Sequence, residues 1–229
     1  MEIFKGKKYI FSRGIAFYPE KEMQLLKKQG EKGWHFRKMN QVGLLVFEKG
    51  KSEEKEYSVD FFDGSPDELS EYLVIYKQAG WENITNYKKR YFYFKADCGT
   101  PTIYSDAESY WIRMKKEWNW LLIRSLAYLP IGIVLLIMLF FTKTSKTIFF
   151  ANLWIRTMLI FFGMLFTVLP LGVAISVIFS LVIYRDRTKY YNQPERFARK
   201  QKVLRDSIIL AMIGFIVGVL VSILLRNSF

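Results

Sequence analysis

Asp60 and Asp63 stand close enough in the chain to suggest acid–base work, which needs two carboxylates held in unlike surroundings. Asp63-Gly64 precedes a Ser-Pro helix start, however, and reads as a turn. Asp106 and Glu108 sit where a helix amino terminus favours negative charge, so capping accounts for them. His35 follows a helix-ending Trp34 and finds no evident partner along the chain, as a surface histidine would. No Gly-rich phosphate loop, HExxH or GxSxG is present. Cys98 is the single cysteine and His35 the single histidine, so neither an intramolecular disulfide nor a Cys/His zinc site can form. The expectation is a non-enzyme with no catalytic, cofactor-binding or metal-binding residues.

The charge is distributed unevenly. Of a net +13, residues 1–104 carry +3 and residues 105–229 carry +10. Eight of those cations lie in one stretch, 185–206: Arg185, Arg187, Lys189, Arg196, Arg199, Lys200, Lys202 and Arg205. Because this stretch lies between apolar runs, topology and contact with anionic lipid headgroups explain it better than nucleic acid. Tyr91 to Phe94 could suggest base stacking on a sheet, but the surrounding domain is nearly neutral, and strand alternation should send one pair of rings into a core. The partners expected are therefore membrane lipid and a protein of unspecified identity, with a homo-oligomer left open and nucleic acid excluded.

Asn119–Thr142 is apolar enough and long enough for a transmembrane helix, which needs roughly 20 residues. Arg124 lies near its start, where a long side chain can snorkel, and Trp111, Trp118 and Trp120 mark an interfacial belt. The apolar run Thr147–Tyr184 is too long for one crossing at about 1.5 Å per residue. It divides into an interfacial or partly embedded segment, about 148–161, and a second span, about 163–184, kinked near Pro170. Arg156 in the first piece is the intramembrane or interfacial candidate, because a cation at mid-bilayer is costly. A third span covers 207–225, where Gly214 and Gly218 have the GxxxG spacing of packed helices. Short basic loops stay inside, so 185–206 and the amino-terminal domain are expected in the cytoplasm and the carboxyl terminus outside. Splitting 147–184 into two spans is the rival topology. The charged start, MEIFKGKKYIFSRG, has no apolar signal region.

Residues 1–104 repeat themselves at a spacing of 47: Pro19 and Pro66, Leu26 and Leu73, Gly33-Trp34 and Gly80-Trp81, Phe47 and Phe94. Each copy reads as strand, helix, strand, strand. Two such βαββ units suggest a ferredoxin-like α+β domain, an antiparallel sheet with both helices on one side. Gly33 and Gly80 fit left-handed helix ends, and Trp34 and Trp81 would pack those ends onto the sheet. A linker helix, 105–118, leads to the membrane domain, 119–229, and a continuous run into the first span would link the two halves mechanically.

The Gly80-Trp81 helix end, the strand RYFYFKAD and the segment DAESYWIRMKK before an apolar run resemble a Gram-positive bacterial membrane family known as domain of unknown function 2812. The resemblance covers roughly residues 5–118 and implies a cytoplasmic α+β domain on a few helices. Members are often encoded beside PadR-type transcriptional regulators, which implies a role in envelope-stress or antimicrobial response. The resemblance supplies no catalytic residues. The leading expectation is a membrane protein whose cytoplasmic domain binds a protein partner or ligand and couples to its helices. The alternative is a transport accessory or antimicrobial immunity protein acting within the bilayer.

Overall fold

The computed structural model describes residues 2–4, 6–141 and 153–201. They form two compact units: Met1–Ala107 with the described residues from Lys189, and Glu108–Thr188. The basic stretch after Lys189 therefore groups with the α+β domain, whereas the sequence suggested one continuous membrane domain from 119 onward.

In the first unit the elements run β1 (Glu2–Phe4), β2 (Lys7–Phe11), α1 (Pro19–Gly30), β3 (Trp34–Met39), β4 (Leu44–Lys49), β5 (Lys55–Phe61), α2 (Leu69–Gln78), β6 (Glu82–Tyr87) and β7 (Tyr91–Asp97). Pro19 and Pro66 open the helical segments of the two halves, where a missing N–H costs nothing. Glu68 accepts the Ser65 N–H at 2.7 Å, closing the start of the single 3₁₀ turn, Pro66–Glu68, that precedes α2. Gly33 has φ 74° and lies so close to the Gly50 carbonyl that a Cβ would sit 2.7 Å from its oxygen, so glycine is demanded twice over.

The strands form two antiparallel sheets, β1-β2-β4-β3 and β5-β7-β6, where the repeat had suggested one layer. Strands β3 and β6 lie against each other without sharing a ladder. Each carries a bulge, between Phe36 and Lys38 and between Asn83 and Thr85, the same positions in the repeat. A bulge misplaces ladder groups and increases local twist, which is how two potential partners come to end as separate edges.

The helices also depart from the expected arrangement. Phe92 and Phe94 pack with Phe62, Trp81 and Ala96 under α2, while Tyr93, on the alternate face, meets Phe36 at a ring distance of 4.7 Å and donates to Glu22 of α1 at 3.2 Å. α1 and α2 thus flank β7 from opposite sides. Both aromatic pairs of RYFYFKA are buried, not one, which is why the strand reads as a continuous apolar run.

The second unit contains α3 (Ala107–Leu126), α4 (Leu129–Phe141) and α5 (Leu153–Ile183). The expected continuous passage from linker helix into first span is broken at 127–128. Pro130 explains the break, since its ring clashes with the carbonyl four residues earlier and it donates no hydrogen bond. Helix α5 continues through 161–163, where the sequence reading had divided it, and through Pro170. Hydroxyls on either side back-bond to carbonyls, Thr167 to Gly163 and Ser176 to Gly172, each at 2.8 Å. At about 46 Å it exceeds the bilayer core and would cross it tilted. Helices α4 and α5 pack closely where Gly132 meets Gly163 and Thr167: a Cβ on Gly132 would lie 2.8 Å from the Thr167 backbone nitrogen. Among the described residues, two helical stretches are long and apolar enough to cross a membrane: Ala107–Leu139, which includes the bend, and Trp154–Ile183. The expected third span, with Gly214 and Gly218, lies outside the described residues, as do residues 148–152.

Candidate functional site

Asp60 gathers the polar contacts of the first unit. It is buried near the end of β5, and its carboxylate accepts hydrogen bonds from the Phe61 N–H at 2.7 Å, Tyr72 at 2.8 Å, Tyr76 at 2.6 Å and the hydroxyl of Tyr104. Tyr72 and Tyr76 are four apart on α2, so helical spacing aims both at one point. Burial, reinforced by the neighbouring Asp60 charge, pushes the Tyr72 hydroxyl far up from its ordinary value and keeps it a donor.

Tyr104 belongs to the segment that leaves β7 for α3, and it is one of three anchors there. The indole of Trp81 donates to the Pro101 carbonyl at 3.0 Å, and Ile103 packs against the core under α2. Residues 98–104 thus form a strap pinned across the domain. Trp81 has a larger role than a helix-end plug, and Gly80, at φ 87°, lets the chain turn into it. Its repeat equivalent Trp34 is only half-buried, with the Lys8 ammonium 5.3 Å from its ring centre.

A second attachment follows α5. Residues 194–201 are helical, and we label them α6. Phe197, Ala198 and Gln201 fall on one helical face and are buried. Gln201 Nε2 donates to the Phe17 carbonyl at 3.4 Å, and Lys27 Nζ joins Glu56 at 2.7 Å to Glu195 at 3.5 Å. The Lys27 ammonium is held above its ordinary pKa, first by its hydrogen bond to Glu56.

That docking sorts the basic residues expected at lipid headgroups. Arg185, Lys189, Arg196, Arg199 and Lys200 are exposed. Arg187 is not: it is 2% exposed and lies 6.0 Å from the Tyr110 ring centre, so burial removes it from the expected set. Lys202 and Arg205 lie outside the described residues. Arg156 is half-buried in the first turns of α5. Arg113 is buried in an ion pair with Glu117 at 2.7 Å.

His35 has partners that lie far along the chain. Its Nε2 meets the Lys51 carbonyl at 2.7 Å and its Nδ1 lies 3.8 Å from Glu53. It borders a polar cleft of about 290 Å³ beside β3 and β6, with Arg37, Tyr57, Asn83 and Lys95. Asp63 is exposed in the turn after β5, and Glu108 lies in the first turn of α3, as expected. Among the described residues no three His, Cys, Asp or Glu side chains gather as a metal site.

Residues 18–126, which include the strap, Trp81 and the Asp60 cluster, match the family described as protein of unknown function (DUF2812). This stretch of the chain belongs to that family. The matched DUF2812 region stops at the bend before α4, so α4, α5 and α6 lie beyond it. Comparison with curated proteins and with solved structures finds no significant match.

Proposed function

We propose that the protein is a non-enzymatic, multi-pass membrane protein whose α+β domain faces the cytoplasm, binds a protein partner or ligand, and passes the state of that contact to its membrane helices. One observation carries the reading: the domain grips the chain at both of its approaches to apolar helix. Tyr104 on Asp60 holds the strap three residues before α3, and Phe197, Ala198 and Gln201 hold α6, which follows α5. A simple membrane anchor needs neither grip. The DUF2812 membership supports the choice of the domain as the functional part. A role in signalling or in envelope-stress or antimicrobial response rests on the family resemblance alone. The exposed cations Arg185, Lys189, Arg196, Arg199 and Lys200 support a cytoplasmic loop near anionic headgroups, with the carboxyl terminus outside. Equivalent bulges and strand orders support reading the halves as a duplicated βαββ unit.

The test is co-purification of the full-length protein from native membranes in mild detergent, beside a Tyr104→Phe variant. The expected result is one stoichiometric protein or small-molecule companion whose recovery falls in the variant. Homo-oligomer and lipid alone, in both preparations, would overturn the reading.

A further inference from the structure

We infer that one end of the α+β domain is a docking surface for an anionic phospholipid bilayer, distinct from the basic stretch 185–206. Two exposed apolar side chains lie there. Phe11 ends β2 and Val42 sits in the β3–β4 turn, each 72% exposed. They belong to one continuous surface, because the Ser12 N–H donates to the Gly43 carbonyl at 2.9 Å. The Tyr87 hydroxyl joins the next turn, donating to the Gln41 carbonyl at 3.4 Å. That turn presents Lys88 and Lys89, both exposed and both in the left-handed region at φ 55° and 54°. Arg13, also exposed, follows Phe11 by two residues.

A large apolar side chain left in water is informative when cations ring it. Phe11 and Val42 have the size and position to enter the boundary between headgroups and acyl chains, and Lys88, Lys89 and Arg13 to meet phosphates around them. Acidic residues at this end include Glu22, buried and accepting the Arg13 N–H at 2.8 Å, and Asp63, which lies between Phe62 and Gly64, whose carbonyls accept from the Arg90 guanidinium at 3.1 and 3.4 Å. The path of the chain favours a bilayer over a soluble partner. Asp60, which holds the strap, is paired with Phe92 at this end of β7, and Phe17, which holds Gln201, lies two residues before α1 at the same end. Both tethers toward apolar helix are thus fastened beside the exposed pair.

The inference rests on the membrane reading proposed above, and the experiment separates the two. A Cys98→Ser, Val42→Cys protein, full length, carries an environment-sensitive dye at position 42 and is reconstituted into phosphatidylcholine vesicles with or without phosphatidylglycerol. A second sample carries the dye at exposed Ser70 on α2. With phosphatidylglycerol, the dye at 42 should shift to the blue and be quenched by brominated acyl chains. Both effects should fall several-fold with Lys88→Asn and Lys89→Asn, which suit left-handed backbone, and at salt high enough to shrink the screening length to about 3 Å. A dye at 42 as wet as that at 70, or equally buried in uncharged vesicles, overturns this inference alone. A chain that will not reconstitute into either vesicle overturns the membrane reading beneath it.

Discussion

At the scale of single residues, two buried carboxylates each accept from a tyrosine hydroxyl and a backbone N–H. Asp60 faces three tyrosine hydroxyls and a backbone N–H. Asp60→Ala removes the shared acceptor and should cost about 3 kcal/mol, since buried donors lose their partner together. Tyr104→Phe removes one bond, should cost about 1 kcal/mol, and leaves the sheets intact. Denaturant titration of the two variants in one detergent checks the ratio. Glu22 on α1, buried against Tyr93 and the Arg13 N–H, has its pKa raised, first by loss of solvent. From the ordinary value of 4.5 up to the raised one, the folded protein keeps a proton that the unfolded chain has released, so stability falls as pH rises through that window and is level above it. Glu22→Gln should flatten this slope, read as unfolding midpoints across the window. Neither carboxylate's setting was legible in the sequence. Asp60 sits among ordinary strand residues, and its tyrosines arrive from α2 and the strap; His35 likewise meets Lys51 and Glu53 only after the chain turns back.

Among the elements, those written in local patterns were readable. Pro at a helix start and Gly at a helix end, in each copy of the repeat, marked the order strand, helix, strand, strand that both halves show. The sides on which they pack were not. The repeat suggested α1 and α2 on one face, whereas they flank β7, because a strand as apolar as Tyr91–Phe94 can be covered twice. The helix packing expected at Gly214 and Gly218 lies outside the described residues; within the second unit a close approach falls at Gly132 and Gly163, whose spacing is set by two helices and belongs to no single-helix motif. Gly132→Leu should push α4 from α5 and lower the thermal midpoint in detergent by several degrees. Gly172→Leu, with open space at its Cβ position, should leave it nearly unchanged.

For the molecule as a whole, the composition correctly separated an α+β domain from apolar helices, and the DUF2812 match runs from the start of α1 through the strap to the end of α3. What the composition hid is that a stretch beyond α5 returns to the domain, because the buried face of α6 is only Phe197, Ala198 and the polar Gln201, set among cations. If strap and α6 transmit state, a change made purely within the second unit must be felt in them. The most direct test is hydrogen exchange on the full-length protein in lipid nanodiscs, comparing wild type with Gly132→Leu. Exchange at residues 98–106 and 194–201 should rise in the variant while the amides of β7 stay protected. Unchanged exchange in both segments, with α4 and α5 demonstrably perturbed, would contradict the coupling on which the proposed function stands.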